Sequence, residues 1–245
     1  MTIFLDSASL EEIERFHRMG IIRGVTTNPT IMLKDGIVGG ISGIETRSKE
    51  IAALIAPYPL SVEVTRNEPE EILHQALAFR EWAENITVKV TIHGPEGELE
   101  NLEIIHQLES AYDVRVNVTA MMNAQQCLLA SLAGASYVSI FGGRVNNMGY
   151  NVCDEIAKLR HALDQINLNS RIIVGSTREV LNVIEWLGAG AHIVTVPPHL
   201  LQGMLIHPYS KETVRMFLDD AAKAEEMLRL VKTDMVLSSR DSEVR

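Results

Sequence analysis

Two carboxylates, Asp6 and Glu63, and one lysine, Lys89, each sit in or at the end of a short apolar run. Charged side chains are seldom buried without a partner. Lys89 stands inside Asn85-Ile-Thr-Val-Lys-Val-Thr91, a β-branched stretch that predicts a buried strand. Burial disfavours an ammonium and frees the amine, and a neutral amine at a strand end can attack a carbonyl carbon to form a Schiff base. Acidic groups nearby oppose that shift, so the sequence leaves the resting protonation of Lys89 open. The competing reading is an edge-strand lysine whose head reaches water.

Asn28, Asn117 with Thr119, and Ser139 are placed in the same way, at the ends of other apolar runs. Residues two apart on a strand share a face, which pairs Thr26 with Asn28, Asn117 with Thr119, and Ser139 with Phe141. For any one of them, a hydrogen-bonding core residue is the simpler account. Repetition over six strands is what points to a shared site. Two loops add cationic groups. Phe141-Gly-Gly-Arg144 puts a guanidinium just beyond two glycines expected to be flexible. Gly175-Ser176-Thr-Arg178 offers close backbone approach, a hydroxyl and a second guanidinium at an expected helix N-terminus. Together these suit a tetrahedral oxyanion such as phosphate or sulfonate, against a surface arginine and a helix cap.

The elements that must position these groups repeat. Apolar runs centre near 3, 25, 62, 88, 116, 139, 173 and 194, separated by helical patterns that include 68–84, 97–112, 123–134, 153–165 and 177–187. Eight βα units in this length predict a single-domain α/β fold, a (β/α)8 TIM barrel, whose active sites gather at the C-terminal face of the strands. An open doubly wound sheet is the rival. It would place a Gly-rich turn after the first strand, where Asp6-Ser-Ala-Ser stands instead. The barrel and a long amphipathic C-terminal helix, from about 211 to 231, are expected to fill 1–232, with a tail over 233–245.

Composition narrows the class. The chain has 245 residues, 46% hydrophobic and 22% charged, enough for a large core. A formal charge of −10 argues against nucleic acid as a partner. No run is long enough to span a membrane, and Met1 leads into Ile3-Phe4-Leu5 without a basic leader, so a cytoplasmic protein is expected. Cys127 and Cys153 lie in helical patterns without metal-ligand spacing and are expected to be reduced and buried. His93, His199 and His207 read as solvated histidines. The expected mouth lacks a histidine cluster, which makes a metal-dependent enzyme the weaker rival.

Phe4-Leu-Asp-Ser, Gly24-Val-Thr-Thr-Asn-Pro, Val88-Lys-Val, Val116-Asn-Val-Thr and Tyr137-Val-Ser-Ile-Phe-Gly-Gly-Arg resemble the small transaldolase family, which includes the fructose 6-phosphate aldolases. The likeness runs from about 3 to 220. It implies a Schiff-base enzyme that needs neither metal nor cofactor, with Lys89 forming the imine and Asp6 as acid/base. Glu63 with Thr119 would hold a proton-shuttling water. Asn28 and Asn117, helped by Ser139, would bind the dihydroxyacetone unit, beside Thr26 and Phe141. Arg144, Gly175, Ser176 and Arg178 would hold the terminal anion. The resemblance further implies a homo-oligomer, a decamer of two pentameric rings.

The aldolase branch carries glutamine and tyrosine where this chain has Glu63 and Phe141. A phenylalanine cannot protonate and release the bound three-carbon unit, which favours transfer to an acceptor. Thr91 replaces the family's proline after Val-Lys-Val, His93-Gly-Pro-Glu-Gly-Glu98 replaces a more regular exit from that strand, and Gly175-Ser-Thr-Arg replaces its usual Ala-Ser-Ile/Phe-Arg/Lys. With these changes the chain is similar to sulfofructose transaldolases. The expected donor is 6-deoxy-6-sulfofructose, giving sulfolactaldehyde, and the expected acceptor is an aldose phosphate such as glyceraldehyde 3-phosphate. An ordinary sugar-phosphate transaldolase, a fructose 6-phosphate aldolase and a noncatalytic sugar-phosphate-binding barrel are the alternatives.

Overall fold

The structure, a computed structural model, describes residues 1–242, with side chains described through 232. Eight parallel strands close into a barrel in chain order. They are β1 (Thr2–Asp6), β2 (Val25–Thr26), β3 (Leu60–Glu63), β4 (Ile86–Thr91), β5 (Val116–Met121), β6 (Tyr137–Phe141), β7 (Arg171–Gly175) and β8 (Ile193–Val196). Closure is by β1 against β8, with Leu5 beside Val196. All eight expected strands are present, and the (β/α)8 fold is as the sequence predicts. Contacts divide the chain into two compact units, Met1–Leu201 and Gln202–Arg245.

Helices α1 (Leu10–Arg18), α2 (Pro29–Lys34), α3 (Gly40–Ile55), α4 (Pro69–Arg80), α5 (Glu100–Ser110) and α6 (Ala124–Leu132) connect the first six strands. Helices α7 (Gly142–Asn147), α8 (Val152–Gln165), α9 (Val180–Gly188) and α10 (Pro198–Leu205) follow. Several starts are written in the sequence. The Ser9 hydroxyl accepts from Glu12 N–H to open α1, and Asn123 Oδ1 accepts from Gln126 N–H to open α6. In the second unit, α11 (Pro208–Ser242) begins earlier and ends later than the expected helix. The expectation of a tail over 233–245 lies outside the described residues for 243–245 and for every side chain from 233. Among the described residues, no helix is long and apolar enough to cross a membrane.

Strand alternation decides what faces where. On β4, Ile86, Val88 and Val90 join the apolar layer under the helices with Ile72 and Phe79 of α4. Thr87, Lys89 and Thr91 take the opposite face, toward the barrel axis. The axis has its own small apolar floor, formed by Phe4, Tyr137, Ile173 and Ile193. Two residues further along the same strands come Asp6, Ser139, Gly175 and Thr195, all on the wall of one cavity. On these strands the interior therefore passes from an apolar cluster to a polar mouth.

Candidate active site

The mouth holds a cavity of about 260 Å3 walled by residues from β1, β2, β4, β5, β6, β7 and β8 or the loops that follow them. Of the expected site residues, Asp6, Thr26, Asn28, Lys89, Thr119, Ser139, Phe141, Arg144, Gly175, Ser176 and Arg178 line it. Glu63 and Asn117 are not in the lining but bond to residues that are, Lys89 and Ser139.

Glu63 and Lys89 are register partners on β3 and β4, and Lys89 Nζ lies 2.8 Å from Glu63 Oε2. Lys89 also donates to the Thr27 carbonyl at 2.9 Å. The lysine head is thus held by two acceptors inside the barrel, which disposes of the edge-strand alternative. Its side chain is 6% exposed and that of Glu63 is 18% exposed, so their charges are shielded from water on most sides.

Asp6 ends β1 and accepts a 2.6 Å hydrogen bond from Thr26 Oγ1. Burial raises its pKa above the ordinary carboxyl value. The Thr26 bond and the Lys89 charge oppose the rise, while the charges of Glu63 and Asp35 add to it. A carboxyl tuned in this direction can both take up and return a proton.

Asn117 is fully buried and does not reach the cavity. Its amide donates to Ser61 Oγ at 3.1 Å and accepts from Ser139 Oγ at 2.6 Å, so it orients Ser139 from behind. Thr119 is the reverse case. Its hydroxyl is buried without a partner and its residue lines the cavity. The next residue, Ala120, has φ of 62°, and the β5–β6 register shifts between Val118 and Met121. A bulge at this point re-aims the strand end. Asn28 caps α2, accepting from Ile31 N–H at 2.8 Å, which leaves its amide NH2 as the donor for a ligand. Thr26 lines the cavity, but its hydroxyl is engaged by Asp6 and Thr195.

The two cationic loops differ locally from expectation. Gly142 and Gly143 lie in the first turn of α7 and are packed. A Cβ on Gly143 would stand 1.9 Å from the Ser176 carbonyl oxygen, and one on Gly142 would meet Val174 and Trp186 at 2.7 to 2.9 Å. Gly143 thus serves close approach between the loops after β6 and β7, and Gly142 close packing on β7 and α9, where flexibility was expected. Arg144, on the same turn, stacks over the Phe141 ring at 4.9 Å. On the other loop, Arg178 precedes the helix. The start of α9 is delayed to Val180 because Ser176 takes φ of 59° and the Glu179/Asn182 capping box sets the first turn. Of the cysteines, Cys127 is buried and Cys153 only partly so, with both thiols free.

The sequence reading missed Thr30, Ile31, Thr177, Thr195 and Pro197 on the cavity wall. The signal that exposed the other sites was present for Thr195, a polar residue inside the apolar run Ile193-Val-Thr-Val. Thr30 and Ile31 come from the first turn of α2, and Thr177 and Pro197 from the loops after β7 and β8, placements that periodicity does not carry.

The fold and site together define a (β/α)8 barrel with a lysine-centred polar cavity at the C-terminal ends of its strands. Residues 3–244 match the profile of the Transaldolase/Fructose-6-phosphate aldolase family, and the chain belongs to that family. A probable transaldolase of Dehalococcoides mccartyi is 36% identical over 220 residues, covering 90% of this chain and 97% of that protein. Probable transaldolase 2 of Listeria monocytogenes is also 36% identical, covering 90% and 95%. Among solved structures, thiamine phosphate pyrophosphorylase from Pyrococcus furiosus superposes with a TM-score of 0.57 at 11% identity, over 80% of this chain and 85% of that one. A soluble mutant of the (S)-mandelate dehydrogenase from Pseudomonas putida gives 0.54 at 13%, over 82% and 67%. At such identities the likeness is one of fold alone.

Proposed function

We propose that the chain is a metal-independent, Schiff-base transaldolase that moves a dihydroxyacetone unit from a ketose bearing a terminal anion to an aldose phosphate. The observation that carries this reading is the 2.8 Å contact of Lys89 Nζ with Glu63, in the mouth that Asp6 and Thr119 also line. Lys89 Nζ adds to the ketose carbonyl, and loss of water leaves a protonated imine. Glu63 and a water held by the unpartnered Thr119 hydroxyl move the protons of that step. Asp6 then takes the proton of the C4 hydroxyl. The C3–C4 bond breaks, its electron pair passes into the iminium to give an enamine, and the aldehyde leaves. The acceptor aldehyde enters, the enamine carbon attacks it, and Asp6 returns the proton to the new alkoxide. Water finally hydrolyses the imine and frees Lys89.

Asn28 and Ser139 bind hydroxyls of the three-carbon unit, with Ser139 set by Asn117. Arg144, Ser176, Arg178 and the backbone at Gly175 bind the terminal anion. Phe141 offers no acid to protonate the enamine, which supports transfer over release of free dihydroxyacetone. Within the anion loop, the Thr177 hydroxyl donates to the Thr195 carbonyl at 2.7 Å and so adds no donor to the anion. This supports 6-deoxy-6-sulfofructose as donor, because a sulfonate carries one charge and no ionisable hydroxyl. An ordinary sugar-phosphate donor is the second reading, favoured by the two guanidinium groups at the same wall. Borohydride reduction in the presence of donor, followed by peptide mapping, tests the imine. No adduct at Lys89 would sink the reading. Rates with 6-sulfofructose and fructose 6-phosphate, with glyceraldehyde 3-phosphate as acceptor, test the donor, and equal or faster use of the phosphate would reverse the preference.

A homo-oligomer, as a decamer, belongs to the same proposal. Val214, Phe217, Leu218, Leu228 and Leu230 of α11 are exposed in the single chain, which supports burial against another copy. Light scattering that gives an assembly of ten 27.2 kDa chains would support it, and a monomeric mass would end it.

A further inference from the structure

Thr195 has no part in the proposed reaction, yet it sits at a junction. It is buried on β8, lines the cavity, and faces Thr26 hydroxyl to hydroxyl. Thr26 in turn donates to Asp6 Oδ1 at 2.6 Å. We infer that Thr195 is a positioning residue for Asp6, holding the carboxyl, through Thr26, in its proton-accepting form and orientation. The inference rests on Asp6 being the acid/base of the proposed reaction.

Two hydroxyl protons have to be placed. With Asp6 ionised, Thr26 gives its proton to Oδ1 and its oxygen accepts the proton of Thr195, so both hydroxyls are satisfied in one direction. When Asp6 is protonated and donates back, Thr26 must turn its own proton toward Thr195. The Thr195 proton then loses the Thr26 oxygen as its acceptor, and the one-directional pair is broken. Aligned hydroxyls polarise one another and strengthen the bond they give to a carboxylate, so the intact Thr195–Thr26–Asp6 chain favours ionised Asp6. It therefore works against the burial of this carboxyl and keeps it able to accept the substrate proton.

Thr195 is itself fixed. Its carbonyl accepts from Thr177 Oγ1, and its methyl lies under Gly175, where an added Cβ would be 3.4 Å away. The charged groups that face Asp6 are Lys89 from β4, Glu63 from β3 and Asp35 from the segment after α2, and Arg144 and Arg178 line the same cavity. A Thr195→Val change alters none of them. It keeps the side-chain shape and removes only the hydroxyl.

The test is the pH profile of kcat/KM for transfer from 6-sulfofructose or fructose 6-phosphate, in the full chain and in Thr195→Val and Thr195→Ser. Thr195→Val should move the acid limb upward by about half a pH unit, the scale of a modest change in one hydrogen bond. Thr195→Ser, which restores the hydroxyl, should return the limb to its original position. A Thr195→Val profile that superimposes on the parent overturns the inference, as does a Thr195→Ser profile displaced equally with it. Borohydride trapping separates the two levels. An adduct at Lys89 with an unmoved acid limb sinks only the role of Thr195, whereas absence of the adduct in the parent chain removes the reaction on which it rests.

Discussion

Lys89 and Glu63 are neighbours across one strand pair, 26 residues apart in sequence, and their charged atoms meet at 2.8 Å inside the barrel. Each is the partner that makes the other tolerable there. Removing one leaves a charge in a shielded site, which costs on the order of 3 kcal/mol for a buried pair. Lys89→Met is therefore expected to abolish transfer and borohydride trapping and to lower stability by about that amount in urea unfolding. The double change Lys89→Met with Glu63→Gln should recover most of the lost stability and none of the activity. Equal stability of the single and double variants would show that the two groups do not interact.

Glu63→Gln alone keeps the shape and removes the proton acceptor. Transfer should fall by about 100-fold, with imine formation and hydrolysis slowed. Single-turnover trapping at Lys89 locates the affected step, and an unchanged trapping rate would assign Glu63 to structure only.

Asp6→Asn should cost about 100-fold or more in transfer while raising thermal stability at neutral pH. The sign follows from the raised folded pKa of Asp6, whose first cause is burial. Between the unfolded carboxyl value and that raised value the native state holds a proton that the unfolded state has released. Stability therefore falls as pH rises through this window, and the penalty is complete above it. An amide escapes the penalty. A lower melting temperature for Asp6→Asn at pH 7 would contradict this account.

His192 works in the other direction, at the N-terminal end of β8. Burial, then the charges of Arg160 and Arg171, lower its pKa from 6.5 to about 4, and its Nδ1 accepts from Ile172 N–H at 2.9 Å. The unfolded chain takes up the proton first as pH falls. The contribution of His192 is thus present above about 6.5 and is lost as pH drops toward 4. His192→Gln should flatten the fall in melting temperature across that window and leave the activity at pH 8 unchanged. A slope identical to that of the parent would show that other groups set acid sensitivity.

Gly143→Ala brings a methyl to 1.9 Å from the Ser176 carbonyl, so the anion loop must move. A displacement of this size at a binding loop is expected to raise KM for the anionic donor by about ten- to 100-fold. Donor saturation curves measure it, and a parental KM would mean that the loop shifts without consequence.

Most of the barrel was legible because its determinants are local. Alternation along β4 assigns Ile86, Val88 and Val90 to one face and Lys89 to the other without knowledge of any partner strand. Polar residues breaking apolar runs, as at Asp6, Lys89, Thr119 and Ser139, pointed to the cavity wall for the same reason. Helix starts were less legible. The delayed start of α9 depends on the left-handed Ser176 and on a capping box, which outweighed the helical periodicity begun at Thr177.

By itself, then, the sequence determined the strand count, the face of each strand residue and the chemical kinds gathered at the mouth, since all three follow from period-two patterning and residue type. Only the tertiary structure decided who touches whom. It bonded Asn117 to Ser61 and Ser139, turned the Thr26 hydroxyl to Asp6 and Thr195, and pressed Gly143 against Ser176. Those contacts depend on the angle and register at which eight strands close, and they join residues as far apart as 26 and 195. No local window of sequence contains that information.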